Sequence, residues 1–396
     1  MIILENIKLE QLKLEFMGKI EYDTAISDNE LLESIDSFVI EKSREYIMTL
    51  KEKERFRKDI FDSVRRLDIL QELLDDESIT EIMVNGSENI FIEKSEGIFK
   101  WNKVFKSEES LADVIQRMVS RVNRIVNETS PIVDVRLEDG SRVNVVLPPV
   151  SLIGPVVTVR KFKTGINMQT MIESDTLGSN IAQVLKNLVS AGYNIFISGG
   201  TGSGKTTFLN ALSEFIPELE RVITIEDSAE LQIKNVRNLI RLETRNANIE
   251  GKNVIAMDEL IKTALRMRPD RIVVGEVRGR EAFDMLQAMN TGHAGMSTGH
   301  ANSTGDMLSR LEAMVLMGAD MPIPAIQNQI GSAIEILLHV ERMSNGKRRL
   351  VTVTELLASR GSGFLLNKIY DVRKDKDTGE AELEKRVKRT QKLNIL

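Results

Sequence analysis

The stretch GGTGSGKTT, residues 199–207, decides the fold class of this 396-residue chain. It fits the pattern G-x-x-x-x-G-K-[ST] and stands between the strand-like NIFIS (194–198) and the helix-like TTFLNALSEFI (206–216). A strand, a glycine-rich loop and the start of a helix together present backbone N–H groups and a favourable helix dipole to a phosphate. The stretch therefore predicts a phosphate-binding P-loop.

The glycines of this loop keep side chains out of the space that phosphates need, so that the N–H groups from Gly202 to Thr206 can surround a β-phosphate. Lys205 is expected to reach the β- and γ-phosphate oxygens, and the hydroxyl of Thr206 to ligate Mg²⁺. ATP and Mg²⁺ are thus the expected ligands. The nucleotide-binding residues that the motif predicts are Gly199, Gly200, Thr201, Gly202, Ser203, Gly204, Lys205, Thr206 and Thr207.

Strand and helix patterns alternate downstream of the loop, which is typical of a parallel-sheet α/β domain. The predicted strands are RVITIE (221–226), RIVVGE (271–276) and GMSTGHA (295–301), with helices over 257–267 and 280–290. Apolar runs around a turn at Asn345-Gly346 predict a C-terminal antiparallel meander. Residues 166–396 are therefore predicted to form the P-loop domain.

Upstream of the P-loop domain the sequence predicts two further regions. Residues 1–75 are highly charged, without proline and with apolar residues at helical spacing, so a helical segment is expected. Residues 76–165 contain short strand patterns, one amphipathic helix and a hairpin turning at Asp139-Gly140, which indicates an α+β domain. The stretch 163–180 is poor in bulky apolar residues and is interpreted as a linker that leads into a helix.

Acidic residues follow two of the predicted strands of the P-loop domain. Glu226 ends RVITIE, and Glu276 ends RIVVGE behind Gly275, at a place where many P-loop proteins have an aspartate. Because the carboxyl ends of parallel strands open toward the phosphate crevice, a carboxylate there faces Mg²⁺ or the attacking water. Glu226 and Glu276 are predicted catalytic residues, and Glu276 is long enough to reach the metal through a water.

The stretch GHAGMSTGHANS (292–303) contains two of the three histidines of the chain. A zinc site needs three or four ligands in reach, and there is no cysteine in the sequence. A polar residue at the end of the next parallel strand is better placed to touch a γ-phosphate. His300 is therefore predicted to donate a hydrogen bond there and to distinguish ATP from ADP, whereas His293 receives no assigned role.

The composition is that of an ordinary globular protein with a net charge of −6. The acidic balance disfavours binding of nucleic acid through bulk charge, so no direct nucleic-acid partner is expected. The sequence shows no secretory signal or spanning helix, and the absence of cysteine suits a reducing compartment. A cytoplasmic protein is the expectation, with a peripheral membrane role open.

Several motifs together resemble the secretion-motor ATPases of type II and type IV systems, and within them the CpaF-type motors of Flp/Tad pilus assembly. The resemblance covers about residues 68–340. The motifs that carry it are the P-loop, ITIEDSAEL, RLETRNANIEGKN, TALRMRPDRIVVGEVRGREAFDMLQAMNTGH, MSTGHANS and SRLEAMVLMG, with ITEIMVNG, SPIVDVRLEDGSRVNVVLPP and TVRKF in the preceding domain.

The resemblance implies an α/β fold in which a RecA-like P-loop domain follows an α+β, PAS-like domain and the helical segment. It also implies a homo-hexamer with nucleotide between these two domains, with Glu226 polarising the attacking water and Glu276 holding Mg²⁺. Arginines stabilise charge in phosphoryl transfer, often from a neighbouring subunit. The candidates are Arg241, Arg245 and Arg278 in the P-loop domain and Arg136, Arg142 and Arg160 in the preceding one.

The resulting hypothesis is a cytoplasmic motor at the inner face of the cytoplasmic membrane. It would couple ATP hydrolysis to rigid-body domain motion and drive a membrane platform protein that assembles a Flp/Tad-like pilus. A conjugation or effector-secretion motor of the same superfamily is the alternative enzyme. A nucleotide-gated scaffold with little hydrolysis and a DNA translocase are the rivals of other classes.

Overall fold

The structure is a computed structural model that describes residues 2–3, 6–19, 26–94, 96–122, 124–162, 166–245, 253–357, 363–372, 387–388 and 392. The chain divides into two compact units, Met1–Thr164 and Gly165–Leu396. Residues 246–252 of the motif RLETRNANIEGKN and residues 163–165 of the expected linker lie outside the described residues.

The first unit begins with a helical region, as the charged N-terminal sequence predicts. In α2, Leu31, Ile35 and Phe38 recur on one face and are buried, while Ser27 and Glu30 cap the first turn reciprocally. Chain order in this region is β1 (Ile2–Ile3), α1 (Asn6–Lys19), α2 (Asp28–Glu45), β2 (Tyr46–Ile47), α3 (Leu50–Arg65) and α4 (Ile69–Asp75).

An antiparallel sheet with a packed helix forms the rest of the first unit. The strand order is β5-β4-β3-β8-β7-β6, and every neighbouring pair is antiparallel. Buried residues of α5, such as Val114 and Met118, share a core with the sheet. The elements are β3 (Glu81–Asn85), β4 (Ile90–Lys94), β5 (Gly97–Lys100), α5 (Glu108–Ser120), β6 (Ile132–Arg136), β7 (Arg142–Val146) and β8 (Val156–Arg160).

The second unit alternates helices and strands, which confirms the predicted α/β class. It contains α6 (Met168–Glu173), α7 (Ser179–Ser190), β9 (Ile195–Gly199), α8 (Lys205–Ser213), β10 (Arg221–Glu226), β11 (Asn238–Glu243), α9 (Met257–Ala264) followed by a 3-10 turn (Leu265–Met267), β12 (Arg271–Val274), α10 (Glu281–Asn290), β13 (Ala294–His300), α11 (Thr304–Gly318), α12 (Ile323–Ala333), β14 (Ile336–Arg342), β15 (Arg348–Leu357) and β16 (Leu365–Asp371).

The eight strands of the second unit form one sheet in the order β11-β10-β12-β13-β9-β14-β15-β16. The strands from β11 to β14 are parallel, and β15 and β16 continue as the antiparallel meander. Helices and strands enclose two apolar cores, one containing α7 and α8 and the other α9 to α12. Because the central strands are parallel, Gly199, Glu226 and His300 all lie at the carboxyl edge of the sheet.

Residues 166–180, the described part of the expected linker, are more structured than that prediction allowed. They contain the short helix α6, whose first turn is capped reciprocally by Asn167 and Thr170, with Met168 and Met171 buried in the core of the second unit. A cap and two apolar residues three apart are enough for one turn of helix once a core is available. Among the described residues no helix is long and apolar enough to cross a membrane.

Candidate functional site

The P-loop joins the buried strand β9 to the helix α8. Gly202 and Gly204 adopt left-handed backbone conformations, with φ of +70° and +89°. Such angles favour glycine, because a Cβ atom would crowd the neighbouring backbone. Gly204 is the residue before the helix, so the free N–H groups of the first turn of α8 open into the loop, as phosphate binding requires.

Lys205 is the centre of a polar cluster at the P-loop. Its ammonium group donates to the carbonyl oxygens of Gly199 (3.2 Å) and Gly200 (3.0 Å) and to Nδ1 of His300 (3.1 Å). The residue is only 7% exposed. Burial lowers the pKa of Lys205, and the negative charge of Glu276 opposes that shift. The three N–H donors of the ammonium are thus matched by three acceptors.

His300 bridges this lysine and the acid at the end of β12. Since an ammonium group can only donate, Nδ1 of His300 is the acceptor, and the proton of the neutral ring lies on Nε2. Nε2 lies 2.8 Å from Oε1 of Glu276. Oε1 is nevertheless buried without a hydrogen bond of good geometry. Burial and the positive charge of Lys205 lower the pKa of His300, and Glu276 opposes them.

Arg278 extends the cluster on the solvent side. Its Nη2 donates to Oε2 of Glu276 at 2.8 Å, and its Nη1 lies 3.8 Å from Oδ2 of Asp227. The predicted residues Lys205, His300, Glu276 and Arg278 therefore form one connected chain of contacts. The positive groups of Lys205 and Arg278 beside the P-loop suit an anionic ligand, and the carboxylate of Glu276 suits a cation bound together with that ligand.

Glu226 lies at the tip of β10 and is only 3% exposed. Its Oε2 accepts the backbone N–H groups of Glu230 (2.7 Å) and Leu231 (2.8 Å), while Oε1 is buried and accepts no hydrogen bond. Burial raises the pKa of this carboxyl to about 6, and the two backbone hydrogen bonds hold it below a still higher value. One oxygen is thus fixed and the other remains available as a proton acceptor.

The structure gives a physical reason for Gly275, which stands where related folds carry an aspartate. A Cβ atom on Gly275 would lie 3.0 Å from Cγ of Glu226. The neighbouring glutamate therefore occupies the space of a side chain at position 275. Glu276, one residue further along, supplies the carboxylate that contacts His300.

The predicted arginines of the second unit take different places. Arg241 donates from Nη2 to the carbonyl of Leu231 at 2.9 Å and so braces the loop that holds Glu226. Arg245 donates from Nε to the carbonyl of Asn253 at 2.7 Å. Both side chains are exposed, and neither belongs to the cluster around Lys205.

The three arginines of the first unit form a row across neighbouring strands. Arg136 of β6 pairs in register with Arg142 of β7, which pairs in register with Arg160 of β8. Arg160 donates from Nε to Oε1 of Glu81 at 2.9 Å. Like charges directly opposite each other on a sheet are unfavourable. The row is therefore a concentration of positive charge suited to an anion.

His293 lies away from the P-loop, whereas Arg348, which no motif indicated, lies beside it. His293 precedes β13 at the opposite end of the strand from His300 and contacts the carbonyl of Ala288 at 3.3 Å, so it is not part of the P-loop cluster. Arg348, which the sequence analysis did not single out, donates from Nε to the carbonyl of Gly202 at 3.1 Å. The basic turn NGKRR was its only signal, and nothing in the sequence places that turn beside the loop.

A parallel sheet with a P-loop after a central strand, and polar residues at the tips of adjacent strands, defines a P-loop nucleotide-binding fold. A family model described as type II/IV secretion system protein matches residues 64–362. The chain belongs to this family, and the predicted superfamily is confirmed.

Curated relatives and a solved structure agree with this assignment. The chain is 33% identical over 301 residues to a putative conjugal transfer protein of Mycobacterium tuberculosis, covering 74% of this chain and 85% of that one. It is 33% identical over 320 residues to the type IV secretion system protein PtlH of Bordetella pertussis, covering 72% and 93%. The X-ray structure of the Yersinia pseudotuberculosis ATPase DotB matches with a TM-score of 0.55 at 14% identity, covering 73% and 78%, which shows the shared fold.

Proposed function

We propose that this chain is a motor ATPase that hydrolyses Mg·ATP to power a secretion or pilus-assembly machine. The observation that carries the proposal is the contact chain from the P-loop through Lys205 and His300 to Glu276. It sets a cation and a strand-end carboxylate beside a loop of backbone N–H groups. A triphosphate and its metal need these groups together.

Binding of the triphosphate is assigned to residues 199–207. The loop amides and the first turn of α8 hold the β-phosphate, and Lys205 neutralises the β- and γ-phosphates. In this role Lys205 exchanges carbonyl acceptors for phosphate oxygens. Removing the charge of Lys205 should therefore mainly weaken the binding of ATP.

The residues present fit Mg²⁺ held mostly by phosphates and water. The donors assigned to the metal are the hydroxyl of Thr206 and the carboxylate of Glu276, whose Oε1 is buried without a good hydrogen bond. These are oxygen donors, as Mg²⁺ prefers. The described residues contain no group of three or more His, Cys, Asp or Glu side chains that could hold a metal. When bound, the metal would supply charge neutralisation at the β- and γ-phosphates.

Glu226 is the proposed acceptor of a proton from the attacking water. The amides of Glu230 and Leu231 fix one of its oxygens, and the other has no competing hydrogen bond. With a pKa of about 6, the group is ionised at neutral pH yet basic enough to take a proton. His300 is proposed to sense the γ-phosphate, since it lies at the carboxyl edge of the sheet in contact with both Lys205 and Glu276.

The arginines are proposed to stabilise the charge that develops in phosphoryl transfer. Arg278 extends the P-loop cluster, Arg241 lies on β11, and Arg245 lies two residues beyond the end of that strand. Their exposure, together with that of Arg160 in the row of the first unit, suits groups that meet a neighbouring subunit. A homo-hexamer is the assembly proposed for this arrangement.

The machine that we propose is a Flp/Tad-type pilus assembly system at the cytoplasmic face of the membrane. This choice rests on the CpaF-like motifs, chiefly GEVRGREAFDMLQAMNTGH and SPIVDVRLEDGSRVNVVLPP. The motor would act on a platform protein in the membrane. The acidic net charge supports a role without direct binding of nucleic acid.

A conjugation or effector-secretion ATPase is the second candidate, and one observation favours it. Curated relatives that cover two thirds or more of this chain are named as conjugal transfer and type IV secretion system proteins. The motor core is shared by both candidates. Deleting the gene and scoring surface fibres by electron microscopy, DNA transfer by mating and effector export by immunoblot separates them.

ATP hydrolysis is tested by measuring phosphate release from the purified full chain with Mg·ATP, at concentrations where sizing with a non-hydrolysable analogue shows a ring. We expect turnover by the wild type and none by Lys205→Ala, with Lys186→Ala as an exposed control. A ring that binds ATP but releases no phosphate would favour the scaffold. Strong stimulation by duplex DNA would favour the translocase.

A further inference from the structure

A residue distant in sequence holds the outer side of the P-loop. Arg348 is the first residue of β15, at the end of the β14–β15 hairpin. Its Nε donates to the carbonyl oxygen of Gly202 at 3.1 Å. Its aliphatic stem covers Gly204, where a Cβ atom would lie 2.9 Å from Cδ of the arginine. The guanidinium and its stem thus contact the two loop glycines that have positive φ angles.

The contact with the Gly202 carbonyl fixes the direction of the next amide. A trans peptide group is planar, and its C=O and N–H bonds point in opposite directions. When Arg348 holds the carbonyl of Gly202, the N–H of Ser203 must point to the other side, into the loop. There it donates to the carbonyl of Gly200 at 3.3 Å, a long hydrogen bond that a phosphate oxygen can replace.

Stability of the hairpin does not explain this arginine. Arg348 lies directly opposite Arg342 in the β14–β15 register, and like charges in that position are unfavourable. Over the residues that the structure describes, the side chain of Arg348 forms no ion pair with an acid, and its one hydrogen bond is to Gly202. The favourable interaction that the guanidinium makes is therefore its hydrogen bond to the carbonyl oxygen of Gly202.

We propose that Arg348 is a positioning residue for the diphosphate part of the nucleotide, acting through the Gly202–Ser203 peptide group. The inference rests on the proposed nucleotide binding. Because Gly202 turns freely, this peptide group would otherwise sample both orientations, and ordering it on binding costs affinity. Arg348 fixes the orientation of this peptide group in the folded protein before the nucleotide binds. Because ATP and ADP share the β-phosphate, it should strengthen both equally and leave bond cleavage unaffected.

The test compares Arg348→Ala with Lys347→Ala, which removes an exposed positive charge from the neighbouring position of the same turn. Dissociation constants for ATP, ADP and inorganic pyrophosphate are measured by calorimetry or competition, together with kcat and KM for hydrolysis. We expect Arg348→Ala to weaken all three ligands by about tenfold, the effect of one hydrogen bond from a charged donor. The value of kcat should stay within about twofold, Lys347→Ala should match the wild type, and Arg348→Lys should recover part of the affinity.

Other results would overturn the proposal in distinct ways. Weakening of ATP alone would indicate a direct contact with the γ-phosphate, and unchanged pyrophosphate binding would indicate a contact with the nucleoside. A lower melting temperature with unchanged affinities would leave only a structural role. If Arg348→Ala does not fold, the test uses Arg348→Lys. A folded Arg348→Lys that binds all three ligands as tightly as the wild type but hydrolyses ATP more slowly would contradict the inference. Failure of the wild type to bind ATP or ADP would instead overturn the proposed function.

Discussion

Oε1 of Glu276 lies 2.8 Å from Nε2 of His300, so the acid at the end of β12 and the histidine at the end of β13 form one electrostatic unit. Lys205 contacts the other nitrogen of the same ring. The imidazole is therefore placed between a cation that disfavours its protonation and an anion that favours it. The protonation state of His300 reports on both neighbours.

The first prediction concerns this balance. The pKa of His300 lies below its usual value of 6.5, because burial and Lys205 outweigh Glu276. Glu276→Gln removes the only one of these influences that favours the charged ring, so we expect a further decrease in the pKa of His300. Lys205→Ala should increase it. The measurement is an NMR titration of the imidazole resonances, and only three histidines need assignment.

Glu259→Gln is the matched control for this titration, since it removes the same charge from an exposed position on α9. It should leave the His300 titration where it is. An unchanged pKa of His300 in Glu276→Gln would show that the 2.8 Å contact does not couple the two groups, and an upward shift would contradict the expected sign.

The second prediction is that Glu226→Gln still binds ATP but hydrolyses it very slowly. Glutamine can accept the amides of Glu230 and Leu231 with its oxygen, so the loop keeps its geometry, yet it cannot take a proton. Loss of a general base lowers turnover by about a hundredfold or more. Phosphate release at saturating Mg·ATP measures the effect, and a wild-type rate would remove Glu226 from the mechanism.

The third prediction is the pH dependence of stability that Glu226 causes. Burial raises its pKa from 4.5 to about 6, so the folded protein holds the proton more tightly than the unfolded chain. The stabilisation is complete below about pH 4.5 and is lost as pH rises through 6, a change of about 2 kcal/mol. Relative to Glu226→Gln, the wild type should lose this amount of unfolding free energy between pH 4 and 7.

Urea denaturation at a series of pH values measures that difference, because both proteins share every other titrating group. Glu243→Gln is the control: it lies opposite Glu226 in the β10–β11 register but is exposed. If the two variants show the same pH profile relative to the wild type, the burial of Glu226 has no thermodynamic effect.

The fourth prediction concerns the glycine beside this acid. Gly275→Ala places a methyl group 3.0 Å from Cγ of Glu226 and must displace that side chain. We expect a loss of about 1–3 kcal/mol in stability, as for other overpacked sites, and a decrease in kcat larger than any change in KM. Thermal denaturation and steady-state kinetics measure both. Gly305→Ala, whose Cβ atom would lie 3.9 Å from the Ser303 hydroxyl, an ordinary van der Waals contact, should be neutral or stabilising.

The fifth prediction concerns the arginine row of the first unit. Arg136→Gln removes one of two like charges that face each other across β6 and β7, so it should stabilise the chain at low salt by about 0.5 kcal/mol. The gain should disappear at high salt, where the repulsion is screened. Melting temperatures over a salt series test this, with the exposed Arg124→Gln as control. A gain that persists in high salt would contradict the electrostatic explanation.

Motif context made much of the fold predictable. GGTGSGKTT between a strand pattern and a helix pattern predicted the P-loop, and alternating strand and helix patterns predicted the parallel sheet. Both were predictable because periodicity and turn propensity depend on residues that are adjacent in sequence. Strand-end positions also placed Glu276 and His300 at one edge. Their direct contact follows from the order β12-β13-β9, which is a tertiary property.

The rest depended on contacts between distant segments. Arg348 reaches Gly202 from a position 146 residues away, and no local pattern encodes that approach. Strand β11 has a weak signal because it is an edge strand in which no residue is fully buried and the pattern of exposure does not alternate strictly. His293 and His300 are seven residues apart, which along a strand spans about 23 Å at 3.3 Å per residue, so the two histidines of one motif lie at opposite ends of β13.

The central place of β9 in the sheet constrains how the protein can be made. Its two neighbours, β13 and β14, are synthesised much later. Asn194 is separated by 101 residues from its partner Gly295, and Ser198 by 141 residues from its partner His339. Until then both edges of a strand that is fully buried in the folded protein lack partners, which exposes the nascent chain to aggregation. A translation product cut short after α10 would carry an intact GGTGSGKTT but lack both strands that flank β9, so we expect the nucleotide site to form only after β14 has been synthesised.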